Sequence, residues 1–348
     1  MTSVGSGGTA TIPGIRAEAP DAATSNLDLD HGQLRAMFEL MLLARALDER
    51  TWLLNRAGRV SFAISGQGHE GAQAGLGYAF DTSKDWLHPY YRDLTLVLHW
   101  GMTPRDVMLM NLSRKGDPNS GGRQMPGHYG SRRLRIVSSS SPVATQIAQA
   151  PGIALASKLR GEDVVTLTCV GEGGTSEGDF HEGLNWASIH RLPVVFCVQN
   201  NHYAISVPME KQMAVRHVAE RAAAYNMPGV QVDGTDALAV YRAAREAVAR
   251  ARRGDGPTLL ETVVYRFTPH SSDDDDRSYR SREEVEEWKA RDPLIVTRQR
   301  LQALGALTDE QEAEMQSRVK ASVDDATDFA LAAPLPDPEE AVTHVYAG

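Results

Sequence analysis

Two short clusters of glycine, carboxylate and amide residues each follow an apolar segment of the chain. The first cluster, Gly171-Glu172-Gly173, comes after VVTLTCV, and the second, Asn200-Asn201-His202-Tyr203, comes after LPVVFCV. The residues between them, 174–199, have room for one helix and a turn. Such a strand–helix–strand unit brings polar residues to the carboxyl ends of two strands, where open α/β sheets bind ligands. Glu172 and Asn201 offer the oxygen atoms that a small divalent cation prefers, and such cations bridge readily to phosphates.

The first cluster is also suited to binding a phosphate. Glycines on both sides of Glu172 let the backbone approach an anion closely. Thr175 and Ser176 are predicted to open the next helix, whose first amide groups suit an anion. The backbone carbonyl of Tyr203 offers a further oxygen. Each cluster alone is compatible with an ordinary solvated turn, and their joint occurrence at two strand ends favours a site for a cation and a phosphate.

Predicted strands and helices alternate along the chain. This predicts an α/β fold with a mostly parallel sheet and helices on both faces. Apolar residues at helical spacing predict a long helix from Asp30 to Arg56, and Ser281-x-x-Glu284 has the form of a capping box. Further helices are predicted at 66–80, 103–111, 142–159, 213–226, 236–253 and 308–333, with a strand at 258–267 and irregular segments at 113–141 and 268–281.

The composition is that of an ordinary globular protein, with 42% hydrophobic and 23% charged residues. A net charge of −9 argues against a nucleic-acid partner, because phosphate backbones need a basic surface. No apolar stretch reaches the roughly 18 residues of a membrane span. Cys169 and Cys197 fall in predicted buried strands, which fits a reducing, cytoplasmic location. We predict a flexible tail at 1–28, an α/β domain at 29–300 and a C-terminal helical extension at 301–348.

Six motifs in order along the chain resemble the alpha subunits of the thiamine-dependent 2-oxo acid dehydrogenase (decarboxylating) family. They are PYYRD at 89–93, GRQMPGHYG at 122–130, SSPVATQ at 140–146, GEGGTSEGD at 171–179, NNHYAIS at 200–206 and YRFTPHSSDDDDRSYR at 265–280. The second and third motifs have the forms typical of the branched-chain group, which acts on 2-oxoisovalerate and related acids. The resemblance covers about residues 61–301 and implies the diphosphate-binding half of a thiamine-diphosphate-binding fold. A pyruvate or acetoin dehydrogenase alpha subunit is the alternative within this chemistry, and a non-catalytic module that binds a nucleotide or diphosphate is the alternative outside it.

The resemblance implies a site residue by residue. Magnesium would be held by Glu172, Asn201 and the carbonyl of Tyr203. Thiamine diphosphate would contact Tyr91, Arg92, Ser141, Val143, Gly171, Glu172, Gly173, Gly174, Thr175, Ser176, Glu177, Asn201, Tyr203, Ala204, Ile205 and His270. The substrate pocket would be formed by Phe62, Tyr91, Met125, Pro126, Gly127, His128 and Ser141. In some relatives the residues that match Ser140, Pro142, Thr145 and Gln146 bind a structural potassium ion.

Two histidines are implied to be catalytic. His270 follows a predicted strand, where it can donate a hydrogen bond or shuttle protons near neutral pH. In the family the matching histidine serves acyl transfer to lipoamide, and His128 matches a residue that contacts the substrate carboxylate. Gln199 stands where some relatives carry an arginine that reaches the diphosphate, so one charge contact is expected to be weaker here.

The resemblance also implies that this chain holds half of an active site. In this family the glutamate that faces the aminopyrimidine ring comes from a beta subunit. We therefore expect an α2β2 heterotetramer that receives a 2-oxo acid and docks the lipoyl domain of a dihydrolipoyl acyltransferase. Ser271 and Ser272 match a loop that regulatory kinases phosphorylate in mitochondrial relatives, and a solvated, mobile loop is the alternative interpretation.

Overall fold

The computed structural model of the protein describes residues 15–17 and 28–343. Six strands form one sheet: β1 Ile15–Ala17, β2 Trp86–His88, β3 Thr166–Gly171, β4 Val194–Asn200, β7 Gly229–Asp233 and β8 Thr258–Val263. Their spatial order is β1-β7-β8-β4-β3-β2, and every neighbouring pair runs parallel. Two further strands, β5 Tyr203–Ala204 and β6 Val207–Pro208, form a small antiparallel ribbon after β4.

Helices fill most of the connections between the strands, and three more helices follow the last strand in the part of the chain that the structure describes. They are α1 His31–Arg56, α2 Glu70–Tyr78, α3 Leu94–His99, α4 Pro104–Asn111, α5 Thr145–Leu159, α6 Gly178–Ile189, α7 Met209–Gln212, α8 Ala237–Arg252, α9 Arg282–Lys289, α10 Pro293–Ala303 and α11 Asp309–Ala332. Several of their starts follow from local chemistry, because Asp30, Thr103, Ser281 and Thr308 each accept a backbone N–H of the first helical turn. Among the described residues, no helix is both long enough and apolar enough to cross a membrane.

The central strands are buried on both faces. In β4, Val195 and Cys197 pack into a core that includes α2 and α8, whereas Phe196 and Val198 pack into one that includes α5 and α6. Strands covered on both faces read as continuous apolar runs, which explains the two segments that first defined this unit. The predicted α/β class, with a mostly parallel sheet and helices on both faces, is confirmed.

Four predicted boundaries or elements differ from the structure. The helix predicted at 213–226 is a 3-10 helix at Val218–Tyr225, which ends where Asn226 takes a left-handed conformation with φ 53°. The predicted helix at 66–80 begins later because Gly68 has φ +90° and cannot continue a helix. The strand predicted at 258–267 ends at Val263, level with the end of its neighbour β4.

The fourth difference concerns the chain ends. Residues 15–17, predicted within the tail, form the edge strand β1, while 1–14 and 18–27 lie outside the described residues. The boundary proposed between 300 and 301 falls inside α10. Helix α11 packs on α1 and α4, so the C-terminal helices cover the N-terminal ones.

Candidate active site

The carboxyl ends of β3 and β4 meet at a cleft of about 340 Å³. Because Gly171 pairs with Gln199 in the sheet, the residues that follow them leave the two strands side by side. Glu172 Oε2 accepts a hydrogen bond from the backbone N–H of Asn201 at 3.1 Å. The two residues singled out by the sequence therefore lie in contact at the cleft.

Most of the predicted cofactor contacts line this one cleft. They are Tyr91, Arg92, Ser141, Val143, Gly171, Glu172, Gly173, Gly174, Glu177, Asn201, Tyr203, Ala204, Ile205 and His270. Thr175 and Ser176 do not line it, since Thr175 is buried and donates its hydroxyl to the carbonyl of Glu172 at 2.6 Å, and Ser176 is exposed. Their predicted place at the start of a helix is wrong. They lie in a 3-10 turn, and α6 begins after the extended residue Glu177.

The predicted substrate residues are more dispersed. The carbonyl of Met125 lies 2.9 Å from His128 Nδ1 and can only accept, so this nitrogen carries the proton. His128 Nε2 then accepts from the hydroxyl of Ser141, 2.6 Å away, which lines the cleft. Pro126 and Gly127 line a smaller cavity that shares Tyr91 and Arg92 with the cleft.

Phe62 and Met125 do not line the cleft. Phe62 is half-buried, and its neighbour Ala63 exchanges hydrogen bonds with Ser272, two residues beyond His270. Ser271 is 7% exposed, so this part of the 268–281 segment is packed against the domain. Ser271 itself is therefore not solvated, whereas Asp273 and Asp275 in the same segment are exposed.

Two buried arginines set the charge of the cleft. Nη2 of Arg92 donates to Nδ1 and to the carbonyl of His270, both at 3.0 Å, and Nη1 of Arg266 lies 3.3 Å from the same Nδ1. Because a guanidinium only donates, Nδ1 is an acceptor and the ring proton of neutral His270 is on Nε2. Burial, followed by the charges of Arg92 and Arg266, lowers the pKa of His270 to about 3. This favours a neutral ring whose Nε2–H is available as a hydrogen-bond donor. The proton shuttle near neutral pH stays a prediction.

Glu172, Asn201 and Tyr203 present three kinds of oxygen in this cleft. Burial raises the pKa of Glu172, and hydrogen bonds from Asn201 and Gln212 oppose that shift. The Asn201 side-chain oxygen and the Tyr203 carbonyl accept long hydrogen bonds of 3.4 and 3.5 Å, which leaves them free for a stronger partner. A carboxylate, an amide and a carbonyl are hard donors that fit Mg²⁺. Among the described residues, no group of three or more His, Cys, Asp or Glu side chains forms a metal site, so a cation here would take its remaining ligands from a phosphate or water.

The glycines of the first cluster have different roles. A Cβ on Gly171 would meet nothing within 4 Å, so this position opens onto the cleft. A Cβ on Gly173 would lie 2.5 Å from that of Ala204, and one on Gly174 would lie 2.4 Å from Val170. Gly171 therefore leaves room for a ligand, whereas Gly173 and Gly174 allow the backbone to pack closely against Ala204 and Val170.

Comparison with known proteins identifies the family. Residues 38–339 match the family described as Dehydrogenase E1 component. The chain belongs to the dehydrogenase E1 family. It is 54% identical over 311 residues to the 2-oxoisovalerate dehydrogenase subunit alpha of Bacillus subtilis, an alignment that covers 89% of this chain and 94% of that protein.

More distant relatives share the family. The E1 chain is 39% identical over 297 residues to the pyruvate dehydrogenase E1 component subunit alpha of Staphylococcus aureus, covering 85% of this chain and 77% of the relative. The same figures hold for the corresponding protein of Staphylococcus epidermidis. The resemblance and the fold class predicted from the six motifs are confirmed.

Sequence reasoning missed several residues that shape the cleft of this E1 chain. Arg266, Tyr90 and Val170 line it. The signal for Arg266 in the sequence is a cation at the end of a predicted strand, four residues before His270. Ala144, His202 and Ile205 take left-handed conformations with φ of 69°, 72° and 56°. The residue types of Ala144 and Ile205 do not predict this, because such backbone angles are unusual outside Gly, Asn, Asp and His.

Gln199 is engaged away from the cleft. It is fully buried, and its amide donates to Asp93 at 2.6 Å. The second guanidinium of the cleft comes instead from Arg266. In the predicted potassium set, the hydroxyls of Ser140 and Thr145 both donate to the carbonyl of Pro142, and Gln146 donates to the carbonyl of Cys169.

Proposed function

We propose that this chain is the alpha subunit of a thiamine-diphosphate-dependent, branched-chain 2-oxo acid dehydrogenase. The reaction is the oxidative decarboxylation of 2-oxoisovalerate and related acids, with transfer of the acyl group to a lipoyl group. The contact between Glu172 and Asn201 at the end of β3 and β4 carries this proposal. Greater identity to a 2-oxoisovalerate dehydrogenase alpha subunit than to the pyruvate dehydrogenase relatives supports the branched-chain assignment.

The oxygen donors of the cleft would hold magnesium. Glu172 supplies a negative charge, while Asn201 and the Tyr203 carbonyl supply neutral oxygens, and phosphate oxygens would complete the shell. Arg92 and Arg266 are buried cations at the same cleft, and each can donate to a phosphate through its guanidinium. Potassium near the Pro142 carbonyl is a further proposal, supported by the hydroxyl oxygens of Ser140 and Thr145, which lie 3.3 and 3.1 Å from that carbonyl oxygen and would turn their lone pairs toward a cation.

When bound, thiamine diphosphate supplies the nucleophilic carbon and the electron sink that decarboxylation requires. The protein binds, orients and excludes water. His270, neutral at pH 7, offers its Nε2–H to developing negative charge without moving a proton. Ser141 and His128 form a hydrogen-bonded pair at the cleft edge, where they would meet the substrate carboxylate.

Partners complete the proposed site. A beta subunit would cover the cleft and supply the activating glutamate, in an α2β2 assembly. A dihydrolipoyl acyltransferase would deliver its lipoyl domain to the same opening. Val143 and Ile205 at the cleft are about half exposed in the isolated chain, which suits contact with another polypeptide. Within the chain we propose a cofactor-binding domain at 29–300 and a C-terminal helical extension beyond it, with α10 spanning the boundary.

The experiment uses the chain co-purified with a candidate beta subunit. Calorimetry with thiamine diphosphate and Mg²⁺ is expected to show binding that Glu172→Ala and Asn201→Ala abolish. Glu182→Gln serves as a matched control, because this exposed acid on α6 lies outside the cleft. Retained binding in both Ala variants would contradict the assigned ligands.

A substrate panel with an artificial electron acceptor then separates the related activities. The proposal expects faster turnover of 2-oxoisovalerate than of pyruvate. A preference for pyruvate or acetoin would replace the branched-chain assignment while keeping the cofactor chemistry. No cofactor binding at all in the wild-type assembly would favour a non-catalytic module.

A further inference from the structure

Asp48 is a buried carboxylate on α1 that does not line the cleft. It is 5% exposed, and the preceding buried positions of the helix, Ala44 and Leu47, are apolar. Burial raises the pKa of Asp48 to about 7. Burying a carboxyl group in such surroundings costs folding free energy unless hydrogen bonds compensate for the lost water.

The carboxyl oxygen holds a tight turn. Oδ2 of Asp48 accepts from the hydroxyl of Ser65 and from the backbone N–H of Gly66, both at 2.7 Å. The Ser65 hydroxyl in turn accepts from the N–H of Gln67 at 3.0 Å. The turn also packs closely against the backbone of Arg92, since a Cβ on Gly66 would lie 2.8 Å from the carbonyl oxygen of Arg92.

This turn binds the guanidinium of Arg92. The carbonyl of Ser65 accepts from Nη1 of Arg92 at 2.6 Å, and the other arm of the same guanidinium donates to His270. The charged groups that influence Asp48 are Glu70, which raises its pKa, and Arg45, which lowers it. Arg45 forms ion pairs with Glu70 and Asp292. The hydrogen-bond partners of the Asp48 carboxyl group are therefore the turn residues Ser65 and Gly66.

We propose that Asp48 is a positioning residue that holds the Arg92 guanidinium against His270 through the Ser65–Gly66 turn. This inference deepens the proposed function, on which the cofactor role of Arg92 rests. Without the carboxyl acceptor the Ser65 carbonyl loses its fixed direction, and the Arg92 guanidinium moves away from Nδ1 of His270. The ring then regains proton affinity, because an adjacent cation no longer opposes its protonation.

Hydrogen–deuterium exchange at the C2 position of His270, followed by mass spectrometry, reads this out in the intact assembly. The exchange requires the protonated ring and hydroxide, so at about pH 7.5 its rate scales with the proton affinity of the ring. Asp48→Ala is expected to accelerate exchange at His270 about tenfold or more, the effect, at an effective dielectric near 20, of moving the guanidinium about 1 Å farther from the ring. Asp48→Asn, which keeps an oxygen acceptor, is expected to stay within about twofold of the wild type.

Thr51→Ala is the matched control for a simple loss of packing. Thr51 lies one turn along α1, is 6% exposed and lines the same small cavity, but its hydrogen bonds go to Leu47 and Asn111. It is expected to lower thermal stability without changing exchange at His270. Equal exchange in Asp48→Ala and Thr51→Ala would overturn the inference.

Calorimetry keeps this test separate from the proposed function. In the assembly with its beta subunit, Asp48→Ala is expected to raise the Kd for thiamine diphosphate at least about tenfold, and Asp48→Asn is expected to restore it. If the wild type binds no cofactor, the proposed function fails, and the exchange rate of His270 still decides the role of Asp48.

Discussion

Replacing Gly171 by alanine tests whether the open floor of the cleft receives a phosphate. Gly171 has φ −75° and ψ 162°, an extended conformation that alanine adopts without strain, and its Cβ would meet nothing within 4 Å. The substitution is therefore expected to raise the free energy of unfolding by about 0.4–1 kcal/mol, because alanine restricts the unfolded chain. In a 348-residue chain this corresponds to a rise in melting temperature of at most about 2 °C.

Cofactor binding is expected to change in the opposite direction. The new methyl group would occupy space that faces the cleft, and an extra methyl in a filled site costs about 1–3 kcal/mol. That cost corresponds to a roughly 5- to 150-fold rise in Kd for thiamine diphosphate. The assay is calorimetry of the assembly with its beta subunit, alongside a thermal melt of the cofactor-free protein.

The control and the refuting result are both specific. Gly178→Ala lies on the same segment, and its Cβ would approach within 4.0 Å only the flexible end of Glu182. It lies outside the cleft lining and is expected to leave Kd unchanged. Unchanged Kd in Gly171→Ala, with the protein folded, would refute the idea that a phosphate lies on this glycine.

Two further predictions concern buried carboxyl groups. Glu172→Gln removes a charge that burial destabilises, so the cofactor-free chain is expected to unfold at a higher urea concentration. Mg²⁺-dependent cofactor binding is expected to weaken at least about 100-fold. A variant that is less stable and binds the cofactor normally would contradict this. Because the pKa of Asp48 is raised to about 7 in the folded state, its stabilising effect is present below the unfolded pKa and is lost as pH rises through about 7. The fall in unfolding free energy between about pH 4 and pH 8 is therefore expected to be smaller in Asp48→Asn, and urea titrations with an unchanged slope of stability against pH would count against it.

The sheet and the meeting point of its strands could be predicted because their signals are local. Apolar runs such as LPVVFCV mark strands that are buried on both faces, and the side chain of Thr308 marks the start of α11. The position of Glu172 beside Asn201 then follows from parallel pairing, since adjacent strands end at the same edge of the sheet.

The electrostatics of the site could not be read in this way. The pKa of His270 depends on Arg92, which is 178 positions away in the chain, and no local pattern reports such a contact. In the sequence, Asp48 is one polar position on an amphipathic helix. Its raised pKa and its hydrogen bonds arise only because the chain buries it and packs the Ser65 turn against it. The left-handed residues Ala144 and Ile205 are likewise imposed by tertiary packing rather than by their own preferences.

The paired guanidiniums of the cleft have a consequence for the lifetime of the subunit. Arg92 and Arg266 are both 1% exposed, and burial with the charge of Arg92 lowers the pKa of Arg266 to about 10. On the proposed function, a bound diphosphate offsets this repulsion. By mass action, free cofactor at a hundred times Kd then adds about 2.7 kcal/mol to the stability of the folded state. Without thiamine diphosphate, the subunit is therefore expected to unfold and to be degraded by proteases more readily, in addition to being inactive.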